Sequence, residues 1–132
     1  MWKKFLLIGW TIGILFPFGW LTFYSDAYRR VFDTIFGPFW MHLLMHTLLY
    51  LVLACFLTQF LGMASLRQGS LRRFVLVIVL VLVVALLQES FQLLYLGRWP
   101  GADEFLDLGV DLTGGLLGIL LSGFRGARHP TG

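Results

Sequence analysis

Four long stretches of the chain carry few or no charged residues, at 5–23, 40–63, 74–96 and 105–124. Each approaches the roughly 20 mainly apolar residues that a membrane-spanning helix needs. No segment alternates apolar and polar positions as a barrel strand would, which excludes a membrane β-barrel. The pattern predicts an all-α polytopic membrane protein, four transmembrane helices in one compact bundle over residues 1–132. The second span opens near Trp40 and the third near Phe74, with the β-branched run Val75–Val84 at its start. The fourth is glycine-rich. Between the first two spans, residues 24–39 mix Tyr24, Tyr28, Val31, Phe32 and Phe36 with Asp26, Arg29, Arg30 and Asp33. That mixture suits a short amphipathic helix at the outer interface. Such a helix serves either as a collar over the bundle or as a gate to what lies beneath.

The start of the chain has some marks of a signal peptide, with Lys3 and Lys4 before the apolar run and Ser25-Asp26-Ala27 after it. The run is about 19 residues long and holds Trp10, Pro17 and Trp20, which fits a retained helix better. Orientation follows from the Lys and Arg residues between spans. Lys3, Lys4, Arg67, Arg72, Arg73, Arg125 and Arg128 fall on one side, and Arg29, Arg30 and Arg98 on the other. Seven against three places both termini in the cytoplasm. All seven acids then fall in the outer loops or in the outer halves of spans.

Ionisable groups inside a membrane are costly and mark functional sites by default. Counted at 1.5 Å per residue, His46 lies about 9 Å, Glu89 about 12 Å and Asp111 about 10 Å below the outer boundary. Three different helices therefore bring an ionisable group to one level. His42 and Asp107 stand one turn higher, and Arg98 is at the mouth. His42, His46 and Tyr50 share a helix face by i,i+4 steps, and Glu89 and Gln92 share another by an i,i+3 step. Asp107, Asp111 and Gly115 form a third stripe, with Gly114 and Gly118 beside it in a small-x-x-x-small contact face.

Three chemistries fit this cluster. Glu89, Asp111 and His46 make a proton-sharing, acid–base set, because closely placed carboxylates in low dielectric cannot all ionise. His42 and His46, four residues apart on one helix face, make a divalent-metal site with Asp107 and Asp111. Alternatively the groups pair as a buried network around Arg98 that fixes helix packing. The sequence leaves catalysis itself open.

Composition narrows the classes further. The chain is 58% hydrophobic and 13% charged, with mean hydropathy +0.83. A soluble domain carries roughly a quarter charged residues, and disorder needs low hydrophobicity. The net charge is +3, but the basic residues flank apolar runs, so they set orientation and no nucleic acid is expected as a partner. The single cysteine, Cys55, cannot form an internal disulfide and reads as a small buried residue. No serine lies in a G-x-S-x-G context, and no phosphate-binding glycine loop or cofactor motif is present, so no cofactor is expected.

The arrangement Glu89-x-x-Gln92-x5-Arg98, followed by Asp107-x3-Asp111-Leu-Thr-Gly114-Gly115-Leu-Leu-Gly118, resembles the C-terminal half of VanZ-like membrane proteins. His46-x3-Tyr50 resembles the family's His-x3-Tyr in the second span, and Asp111 stands where the family usually has Asn. The resemblance covers spans two to four. It implies a small polytopic protein of the cytoplasmic (inner) membrane and the cell envelope, in a family associated with resistance to glycopeptide antibiotics. Joined to the polar cluster, it leads to an expected outward-facing pocket that binds or modifies a lipid-linked or envelope molecule. Glu89 and Asp111 would exchange a proton there with help from His46. Arg98, Gln92, Asp107 and Tyr50 would bind the ligand. The alternative is a non-enzymatic accessory or assembly subunit of a larger membrane complex, or a homo-oligomer, with Gly114, Gly115 and Gly118 serving helix contact. A transporter is the weaker idea, because the inner halves of the spans hold almost no ionisable residue.

Overall fold

The computed structural model of the protein describes residues 2–16, 18–62 and 71–127, with side chains through Phe124. The described chain is helical: α1 (Trp2–Leu15), a 3-10 turn (Phe18–Phe23), α2 (Asp26–Phe36), α3 (Phe39–Phe60), α4 (Leu71–Leu96) and α5 (Ala102–Ala127). Three of these helices, α3, α4 and α5, are long and apolar enough to cross a membrane.

The span expected at 5–23 is not one helix. α1 has 14 residues, about 21 Å at 1.5 Å per residue, against a hydrocarbon core of about 30 Å. It ends before Pro17, whose nitrogen has no hydrogen to donate to the carbonyl four residues back. The chain resumes as the 3-10 turn. The amphipathic segment does form a helix, α2, within the expected 24–39. Ser25 caps it, its side chain accepting from the Tyr28 amide at 3.2 Å, which satisfies one of the free N–H groups of the first turn. Tyr28, Phe32 and Phe36 line up along one face with ring centroids 5.8 and 4.8 Å apart.

The centre of the bundle is the α3–α5 pair. His42 meets Asp107 and His46 meets Asp111, each across a sequence separation of 65. A constant offset means that the two helices run parallel and in register. A Cβ on Gly114 would strike the Thr47 carbonyl, and one on Gly118 would strike the Leu51 carbonyl. The two backbones are therefore in contact, as small residues at such positions permit. Farther down, Thr58 Oγ1 donates to Ser122 Oγ at 2.9 Å. α4 runs the other way, with Val81 Cγ1 against Gly115, where a Cβ would lie 2.9 Å from it. Fully buried Tyr50, Leu53, Val77, Val81 and Ile119 fill the space between these three helices. α1 is joined to α3 by the Trp10 indole, which donates to the Leu49 carbonyl at 3.0 Å and sets its edge against Phe56. These directions gather Lys3, Lys4, Arg72, Arg73 and the end of α5 at one end of the bundle, and all seven acids toward the other.

Candidate functional site

The acidic end of α5 and the start of α3 supply two parallel acid–histidine pairs. His42 Nε2 lies 3.0 Å from Asp107 Oδ2, and His46 Nδ1 lies 2.8 Å from Asp111 Oδ1. They stand one turn apart because both members of each helix repeat at i,i+4. The imidazole centroids are 4.5 Å apart. The upper pair is partly open, with the His42 side chain 39% exposed, whereas Asp111 is fully buried.

Glu89 approaches from α4. Ligand atoms of His46, Glu89 and Asp111 all lie within 4.8 Å of one another, as do those of His42, His46 and Asp107. The depth argument from the sequence thus brings together the three residues it singled out. Among the described residues neither Glu89 carboxylate oxygen has a hydrogen-bond partner, nor does Asp111 Oδ2, although all three atoms are buried. Unpaired buried polar atoms are rare enough in folded proteins that each needs a physical explanation.

Beside this cluster lies a cavity of about 550 Å³, within the usual range of small-molecule pockets. Its polar wall is His42 and His46 from α3 with Gln88 and Gln92 from α4. The remainder is largely apolar and rich in aromatic rings, and includes Phe91 and Tyr95 from α4 and the Tyr28–Phe32–Phe36 stripe of α2. α2 thus covers the cavity with its apolar face while Asp26, Arg29, Arg30 and Asp33 stay exposed.

The other predicted residues take different places. Gln92 lines the cavity. Tyr50 is fully buried, and its hydroxyl donates to Gln88 Oε1 at 2.7 Å, so it holds the polar wall from behind. Arg98 sits outside the His–Asp network and pairs with Glu104 Oε1 at 2.5 Å, while Glu104 Oε2 accepts from the Gly101 amide at 2.6 Å. Gly97, at φ +62°, makes the left-handed turn that ends α4 just before Arg98. Gly114, Gly115 and Gly118 are helix-contact residues, as the sequence indicated.

Sequence reasoning missed Gln88 and the Thr58–Ser122 bond. Gln88 was readable in principle, as a polar residue in an apolar run that adjoins Glu89. Thr58 and Ser122 have no sequence signal beyond falling on the contact faces of α3 and α5.

Comparison of the chain with protein-family models, curated proteins and solved structures gives no match.

Proposed function

We propose that this chain is a VanZ-like integral membrane protein that binds an amphiphilic, lipid-linked or envelope molecule in the cavity beneath α2. The observation that carries this reading is the cavity's division into an apolar, aromatic-rich majority and one wall of His42, His46, Gln88 and Gln92. An apolar chain fits the aromatic part, and a polar or anionic headgroup fits the donors of the wall.

The same reading has four crossings, with both termini cytoplasmic and the cavity facing outward. α1 and the 3-10 turn that follows it supply 14 and 6 residues, together the roughly 20 that a crossing needs. The basic residues gathered at one end of the bundle support that orientation.

The test uses the purified chain in nanodiscs with a polyprenyl phosphate as probe and phosphatidylglycerol as the comparison lipid. Saturable binding of the polyprenyl phosphate, weakened at least about tenfold in Gln92→Leu, supports the reading. Binding no stronger than that of phosphatidylglycerol, or unchanged in Gln92→Leu, overturns it.

A further inference from the structure

We propose that His46, Glu89 and Asp111 form a binding site for one divalent transition-metal ion of the zinc type. This goes beyond amphiphile binding and does not rest on it. Three facts meet at this point in the bundle. One nitrogen and two carboxylates from three different helices converge within 4.8 Å. Three of the four carboxylate oxygens, both of Glu89 and Oδ2 of Asp111, are buried without a partner among the described residues. Glu89 and Asp111 are themselves 6% and 0% exposed, so both carboxyls lie inside the bundle.

A metal ion accounts for these features together. Zinc binds imidazole nitrogen and carboxylate oxygen tetrahedrally at about 2.0–2.2 Å, so its ligand atoms stand about 3.4 Å from one another. The His46–Asp111 hydrogen bond of 2.8 Å opens by about half an ångström to admit the ion, and Glu89, within the 4.8 Å limit, closes by no more than about 1.5 Å to complete the set. Two anionic carboxylates around a dication also remove the repulsion that isolated buried acids would suffer. The mixed nitrogen and oxygen set favours zinc and its first-row neighbours, since hard cations such as Mg²⁺ prefer oxygen alone. His42 and Asp107, one turn nearer the open end, lie on the entry side and form the adjacent pair. His46 also lines the cavity, so the ion would stand just behind the polar wall.

The test uses tag-free, chelator-stripped protein in detergent, titrated separately with Co²⁺ and Zn²⁺ alone. Uptake of one equivalent per chain is expected, with visible absorption typical of low-coordinate Co²⁺. Glu89→Gln and Asp111→Asn are each expected to weaken binding more than about tenfold, since even outer partners of a metal ligand cost 10–100-fold. Asp33→Asn, on exposed α2, is expected to leave it unchanged. X-ray absorption of the zinc-loaded wild type, which needs no variant, is expected to give one imidazole and otherwise oxygen ligands. The proposal is overturned by absence of saturable uptake in the wild type, by a sulfur ligand from Cys55, or by uptake that both carboxylate variants retain. These outcomes are read without lipid, so they separate from failure of the amphiphile reading.

Discussion

Gly114→Ala is the sharpest probe of the α3–α5 contact. A Cβ at Gly114 meets the Thr47 carbonyl, its carbon and its Cα, all backbone atoms that no rotamer change can clear. The helices must part or shift. A Cβ at Gly109, on the same helix, meets nothing within 4 Å. Both substitutions gain the same helix propensity, about 0.8–1 kcal/mol, so their difference isolates the clash. Overpacking costs about 1–3 kcal/mol. Separation also lengthens the His46–Asp111 and His42–Asp107 bonds, which lie one and two turns away, and interhelical bonds in membranes average about 0.6 kcal/mol. Gly114→Ala is therefore expected to be less stable than Gly109→Ala by about 2–4 kcal/mol. Unfolding in mixed micelles of increasing SDS fraction, followed by helical circular dichroism, reads that difference. Equal midpoints for the two variants would refute the backbone contact and the parallel register built on it.

Three further substitutions test other parts of the bundle. Glu89→Met removes two orphaned buried oxygens and is expected to raise stability by about 1–3 kcal/mol, measured as a higher unfolding midpoint in the metal-free protein; an unchanged or lower midpoint would mean that Glu89 has a partner. Tyr50→Phe leaves Gln88 Oε1 unpaired in the core and is expected to cost about 1–3 kcal/mol, with an unfolding midpoint as the readout. Trp10→Phe deletes the α1–α3 bond at Leu49 and is expected to speed amide exchange in α1 while leaving α5 protected, as followed by mass spectrometry.

Much of the fold was legible because membrane burial makes apolar length a direct signal. The third and fourth predicted spans begin at Phe74 and Phe105, and the helices begin at Leu71 and Ala102, so polar first turns were lost to a reading keyed on apolar residues. Residues 5–23 misled for a related reason: hydropathy does not register that Pro17 removes a backbone donor. The site was legible through depth, since counting 1.5 Å per residue from helix ends brought His46, Glu89 and Asp111 to one level. Partner choice was not legible. Arg98 was expected at the centre of any packing network, but the turn at Gly97 directs it to Glu104. The span boundary at 105 left Glu104 in the outer loop, although it lies in the first turn of α5. The cavity itself had no signature in the sequence, because its lining comes from the end of α1, the 3-10 turn, α2, α3 and α4 and depends on their tertiary arrangement.

The occupant of the cavity is read most directly by native mass spectrometry of the protein released gently from its own membrane. The expected spectrum is the chain, alone or as a small homo-oligomer, carrying one amphiphile of defined mass per chain, with that adduct lost in Gln92→Leu. A chain that emerges bare, or in fixed ratio with larger subunits and no bound amphiphile, would contradict a ligand-binding role and make the cavity and its acid–histidine wall a docking and folding device.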